Sequence, residues 1–226
     1  MRSGCGLAAR GSAGAVVIAS ACGRTSYDAP GAESMGGSSV SGGSGGLESE
    51  PPGGAGAAVG GTGESKTAGN YAASLLAAEE AKEKGFTQVL WLDAAARKYV
   101  EEVGTMNMFF VIDDEVITAP LTGSILPGIT WDSAFRLVKD WGMKVSERFL
   151  AIDEVIDAAK DGRLKEAFGT GTAAVISPVG QITFKGKHHI VSDGKMGELS
   201  QRLYNEIVGI QYAEKEDPYE WREKIG

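Results

Sequence analysis

From Gly60 onward the apolar positions fall into short runs and helical stripes. Tyr71, Leu75, Ala78 and Lys82 mark one side of a helix predicted over Asn70 to Lys84, which Gly85 stops and whose Glu/Lys-rich end is solvated. Gln88 to Leu92 (QVLWL) predicts a short apolar strand, and Tyr99 to Asp113 a longer one that alternates and then becomes strongly apolar (MFFVI). Asp113-Asp114 turns that strand into Glu115 to Ala119, a hairpin. After the Leu126-Pro127-Gly128 loop, Thr130 is an N-cap candidate, with Asp132 favourable in the first turn and Ala134, Leu137, Val138 and Trp141 as the apolar set. Lys144 to Ile152 predicts a strand, Asp153 the cap of a short helix ending at Gly162, and Ala167 to Phe184 strands around a GTGTA loop. Lys185-Gly186-Lys187 turns into His188 to Val191, and a last helix runs from about Leu199 to Tyr212. Mixed strands and helices with several hairpins predict an α/β or α+β domain over residues 60–226. Trp91, Phe109 and Phe110 are core candidates; His188-His189, Arg136 and Arg148 belong to the surface, the arginines as partners of nearby acids.

Upstream, residues 1–59 are rich in Gly, Ala and Ser, and Ser34 to Gly46 reads SMGGSSVSGGSGG. Such a segment buries too little apolar surface to offset its chain entropy, so it is set apart as a low-complexity, disordered or unrelated tail. Arg2, Arg10 and Arg24, with no acid before Asp28, allow a transit segment, and Ser20-Ala21-Cys22 faintly resembles a lipoprotein signal. No stretch reaches the roughly 20 apolar residues of a membrane span.

Charge and cysteine count narrow the chemistry. The 226-residue chain has a formal net charge of -8 and lacks basic runs, which argues against nucleic acid or an anionic membrane as partner. Its two cysteines, Cys5 and Cys22, lie in the tail, and its two histidines are adjacent, so neither a disulfide framework nor a zinc site is expected. Two loops carry more information. LPGIT (126–130) places a glycine and a hydroxyl residue at a helix start, where free N–H groups and the helix dipole attract an anion, and GTGTA (169–173) is a second glycine-rich loop. One such loop reads as an ordinary capped turn. Two of them, with Lys66 after a glycine turn, point to a phosphorylated cofactor, although Lys66 by itself reads as a solvated lysine.

Five strings, in this order and spacing, resemble the branched-chain amino-acid aminotransferases, class-IV pyridoxal-phosphate enzymes, over almost all of residues 60–226. They are GGTGESKTAGNYAASLLA, EEVGTMN, LPGIT, FGTGTAAVISPV and GIQY (209–212). The resemblance implies the C-terminal, cofactor-binding domain of the fold-type-IV enzymes, a mixed sheet or pseudo-barrel with surrounding helices. It implies pyridoxal 5'-phosphate as cofactor, bound to Lys66 as a Schiff base, with Lys66 also moving the proton. Tyr71 would meet the phenolic oxygen and the substrate, Glu102 the ring nitrogen, and Leu126 the ring face. Ile129, Thr130 and Thr172 would bind the phosphate, and Thr105 and Ala173 would lie by the substrate carboxylate. The implied reaction is amino transfer between leucine, isoleucine or valine and 2-oxoglutarate. The implied partners are those small molecules and a second copy in a homodimer, and the implied compartment is the cytoplasm, or an organelle if the tail is a transit segment.

The departures are specific. The family's N-terminal domain has no counterpart in residues 1–59, so a truncated, non-catalytic remnant is an alternative. A D-amino-acid transaminase or aminodeoxychorismate lyase is another, sharing the lysine and glutamate but not the full EVGTMN and NYAASLLA strings. Val59 and Trp131 stand where the family tends to have arginines, and Ala174 and Ser177 where some members carry a redox CxxC.

Overall fold

The computed structural model describes residues 65–225 and, for their backbone, residues 16–20. The strands are β1 (Val16–Ser20), β2 (Gln88–Leu92), β3 (Val100–Val103), β4 (Met106–Ile112), β5 (Glu115–Thr118), β6 (Lys144–Glu147), β7 (Leu164–Gly171), β8 (Val175–Phe184) and β9 (Lys187–Ile190). The helices are α1 (Ala68–Glu83), α2 (Ile129–Asp140), α3 (Ile152–Lys160) and α4 (Glu198–Gln211). The nine strands of the described residues belong to one sheet, in the order β3-β2-β1-β8-β7-β4-β5-β6, with β9 on β8. Because β3 also pairs with β4, six antiparallel strands run full circle and leave no open edge among themselves. Among the described strands, β6 alone pairs in parallel, on β5, after the α2 crossover. This is the mixed, curled sheet with surrounding helices that the sequence leads one to expect.

Alternation along β4 and β7 explains the two cores. Met108, Phe110 and Ala167 face one way, into a cluster with Leu90, Val103, Ile182 and α3 residues Val155 and Ile156. Phe109, Val111 and Phe168 face the other way, against Trp131, Leu137 and Leu203 of α2 and α4. Phe109 and Phe168 stack with centroids 5.3 Å apart. The start of α4 is fixed from the sheet: the buried Glu166 carboxylate of β7 accepts from the Leu199 N–H (2.8 Å), the Ser200 N–H (2.9 Å) and the Ser200 hydroxyl (2.7 Å). A Cβ at Gly197 would overlap that carboxylate, which is why a glycine precedes the helix. Glu166→Ala strips three buried donors of their acceptor. Urea unfolding should register a loss of about 2–3 kcal/mol, with the Gln variant, which keeps one acceptor oxygen, losing less.

Several predicted boundaries move. The strand over Tyr99 to Asp113 is two strands, because Gly104 turns the chain at φ +58° and its N–H donates to Val89 O (2.8 Å). Gly128, not Thr130, is the N-cap of α2, and Thr130 lies in the first turn. The strand from Lys144 stops at Glu147; Ile152 already begins α3, whose N-cap is Ala151 rather than Asp153. On α1 the expected stripe is not the packed one. Leu75 is 63% exposed and Ala78 is exposed, while Ala81 is buried where the helix lies along β2. That helix is held more by its alanine-rich propensity than by an apolar face. Within the segment set apart by composition, Val16–Ser20 forms a strand between β2 and β8. The rest of residues 1–59, including Cys5, Cys22 and Val59, lies outside the described residues.

Phe109 and Phe110 are buried as expected, and Trp91 is half-buried with its Nε1–H donating to Gly104 O (2.9 Å). Arg136 pairs with Asp132 (2.9 Å) and Arg148 with Glu154 (2.6 Å). His188 is exposed and lies against Thr183 Oγ1 (2.8 Å). No helix of the described residues is long and apolar enough to cross a membrane.

Candidate active site

One row of direct cross-strand partners runs across four strands. Glu102 of β3 faces Asn107 of β4, Asn107 faces Thr170 of β7, and Thr170 faces Ile176 of β8. Direct partners point to the same face, here the face covered by α2. Glu102, Asn107 and Thr170 are 9%, 6% and 1% exposed, three polar side chains in an otherwise apolar layer. Burying them is costly unless something pairs with each. Asn107 Nδ2 donates to Leu126 O (2.8 Å), and the Leu126 N–H donates to the Glu102 carboxylate. Thr170 Oγ1 has no hydrogen-bond partner among the described residues.

Glu102 carries the electrostatics. Burial pushes its carboxyl up to about 7; the Leu126 N–H and the nearby Lys66 ammonium oppose that rise, and Glu101 adds to it. The Tyr71 hydroxyl is likewise raised, first by burial and then by the charge of Glu102. Lys66 and Tyr71, five residues apart in sequence, therefore both lie within electrostatic reach of Glu102. Lys66 is exposed, in a turn where the Thr67 N–H donates to Ser65 O (2.8 Å) and the Asn70 side chain to the same oxygen (2.7 Å). Of the adjacent glutamates, Glu102 is the buried one. Glu101, on the opposite face of β3, is half-buried rather than freely solvated and accepts from Ser124 Oγ (2.7 Å).

The remaining sequence-predicted residues sit on loops at one end of the sheet. Thr105 is in the β3–β4 turn, and Thr172 and Ala173 are in the β7–β8 turn. The pairing of Asn107 with Thr170 brings those two turns side by side. Ile129 and Thr130 open α2, where the first intrahelical donor is the Asp132 N–H to Gly128 O (3.0 Å), so the N–H groups of Ile129 and Thr130 are spare. Thr105, Thr172 and Ala173 are exposed, Leu126 is half-buried and the Ile129 side chain is 82% exposed. The loops therefore form one wall that opens to solvent. Trp131, at the position of an expected arginine, is instead an anchor: buried, with Nε1–H donating to Thr118 Oγ1 (3.0 Å) and its ring stacked on Phe135 (5.3 Å). Asn107 and Thr170 did not stand out as candidates in the sequence. A signal was available for the first, as a lone amide in the strand MNMFFVI.

The residues fit a phosphorylated, ring-bearing cofactor on three counts. A helix N-terminus offers free N–H groups, a buried hydroxyl lacks a partner nearby, and a raised carboxyl lies within electrostatic reach of an amine. Among the described residues, no group of three or more His, Cys, Asp or Glu could hold a metal ion.

The model of the amino-transferase class IV family matches residues 63–182. The branched-chain-amino-acid aminotransferase 2 of Bacillus subtilis (strain 168) is 55% identical over 169 residues, 75% of this chain and 47% of that protein. A branched-chain-amino-acid aminotransferase of Mycobacterium tuberculosis is 45% identical over 174 residues. The chain thus spans about half the length of the curated relatives it matches. The branched-chain amino acid aminotransferase structure from Escherichia coli superimposes with a TM-score of 0.60 at 33% identity, over 71% of this chain and 50% of that one. Another solved branched-chain amino acid aminotransferase, complexed with N-(5'-phosphopyridoxyl)-L-glutamate, gives 0.56 at 31%, over 66% and 46%. With more than half of its length, including Lys66 and the loops 126–130 and 169–173, matched by that family model, this chain belongs to the class-IV aminotransferases.

Proposed function

We propose that this chain is the cofactor-binding part of a pyridoxal-phosphate-dependent transaminase that moves the amino group between leucine, isoleucine or valine and 2-oxoglutarate. The observation that carries the reading is the buried Glu102, tied to the anion-binding loop through the Leu126 N–H and coupled in charge to Lys66 and Tyr71. The relatives' branched-chain specificity and the phosphopyridoxyl compound bound in one of them support the substrate class and the cofactor. When bound, pyridoxal phosphate supplies a ring that withdraws electrons from the substrate carbon. Glu102 would keep the ring nitrogen protonated, Tyr71 Oη would donate to the phenolic oxygen, and Leu126 would cover the ring face. The Ile129 and Thr130 N–H groups and the Thr172 hydroxyl hold the phosphate, while Thr105 and the Ala173 backbone receive the substrate carboxylate. Lys66 Nζ would hold the cofactor through its aldehyde carbon and, as a free amine, would take the proton from the substrate carbon.

A second reading, cofactor binding without turnover, is favoured by the exposure of Lys66, Thr105, Thr172 and Ala173. These transaminations require water to be kept from the reacting atoms, and this wall does not do so by itself. An absorbance titration with pyridoxal phosphate separates the two. A band at about 410 nm that shifts when leucine is added is the result expected of the transaminase. A band indifferent to leucine leaves only cofactor binding, and a spectrum no different from free cofactor sinks both readings.

A further inference from the structure

We infer that Asn107 is a positioning residue for the anion-binding loop, setting the loop's affinity for a phosphate group without touching that group itself; the inference rests on the cofactor reading above. The Leu126 peptide is held on both sides from the sheet. Its N–H is taken by Glu102, and its carbonyl receives the Asn107 Nδ2–H at 2.8 Å. Two residues later the loop crosses the same amide. Gly128 packs so closely on Asn107 that an added Cβ would overlap Oδ1. Gly128 has φ -69° and ψ 137°, which any residue adopts, so glycine is required there for room and not for backbone freedom. The amide thus fixes the loop at Leu126 and at Gly128, the N-cap residue from which α2 begins.

The consequence is angular. The spare N–H groups of Ile129 and Thr130 point wherever the first turn of α2 points. Trp131 pins the inner side of that turn through Thr118, and Asn107 pins the loop that enters it. An anion held by such N–H groups loses affinity steeply as the donors tilt away from linearity. A relaxed loop should therefore weaken recognition of the phosphate more than recognition of the ring and aldehyde, because Glu102, Tyr71 and Lys66 are placed by other elements and only Leu126 belongs to the loop.

The test compares pyridoxal phosphate with pyridoxal, which lacks the phosphate. Equilibrium binding would be measured by absorbance for the wild-type chain, Asn107→Ala, Gly128→Ala and the double variant, with far-UV circular dichroism as the check on folding. Each single variant is expected to bind pyridoxal phosphate about tenfold more weakly, the scale of one well-made hydrogen bond to a charged network, and to lose clearly less affinity for pyridoxal, so that the preference for the phosphorylated form falls. The double variant is expected to be no worse than either single one, since removing the amide makes room for the methyl group. If Asn107→Ala does not fold, Gly128→Ala perturbs the same contact from the loop side and decides the matter alone. Unchanged preference for the phosphorylated form in the folded single variants overturns the inference while leaving the cofactor reading intact. A wild-type chain with no preference for pyridoxal phosphate over pyridoxal overturns both.

Discussion

Replacing Lys66 with alanine is expected to abolish the specific covalent capture of pyridoxal phosphate, read as cofactor fixed to the chain by borohydride, and to lower any leucine turnover at least about 100-fold. The structure makes this a clean experiment. Lys66 is exposed, so the substitution should shift stability by less than about 0.5 kcal/mol. Other surface lysines, among them Lys98, Lys144 and Lys187, supply the background labelling. What distinguishes Lys66 is that its charge acts on the buried Glu102, which also acts on Tyr71. Lys66→Arg adds a second control. It keeps the positive charge by Glu102 but offers no amine, so it should fail at capture as completely as alanine does. Mass spectrometry of the reduced adduct reports the site directly. Fixed cofactor distributed evenly over the surface lysines, with Lys66→Ala no different from wild type, would refute the assignment.

How much of this was legible in the sequence depended on whether the information was local. β2 lies where an apolar pentapeptide says it should, and the Asp113-Asp114 turn joins β4 to β5 as its residues require. The Gly104 turn was hidden because apolar character continues across it, from Val103 to Met106; only the pairing of Glu102 with Asn107 shows that the chain has reversed. The cap of α2 was misplaced for a related reason. Hydroxyl residues are the usual caps, but here the loop must pass over the Asn107 amide, and only glycine fits. β1 was not legible at all. Its five residues are joined to the sheet by pairing with strands that lie far downstream along the chain, and composition carries no trace of a partner that remote. The candidate residues themselves were found by likeness to a family rather than by pattern. A lysine after a glycine turn and a glutamate beside another glutamate carry no local mark of function. The mark is burial, and burial is a property of the assembled sheet.

Glu102→Gln should move two quantities in opposite directions. In the cofactor-free chain, burial has raised the Glu102 carboxyl from its ordinary 4.5 to about 7. Between those values the folded chain holds a proton that the unfolded chain has lost. The group's contribution to stability is thus most favourable at low pH and declines as pH rises from about 4.5 through about 7. Fully ionised, the buried carboxylate costs the fold roughly 3 kcal/mol at most. Glutamine has the same shape and can still accept from the Leu126 N–H, but it never ionises. Urea unfolding without cofactor should therefore find the variant at pH 8 more stable than wild type, and the two nearly equal at pH 4. Turnover should move the other way, by about 100-fold or more, because a neutral amide cannot hold the ring nitrogen in its protonated form. A carboxylate kept for structure would be improved by this substitution, and one with no role would be indifferent to it. Only a group kept ionisable for what it binds should gain stability and lose function together. Equal pH slopes in wild type and variant would show that Glu102 is not the titrating group, and undiminished turnover would remove it from the site.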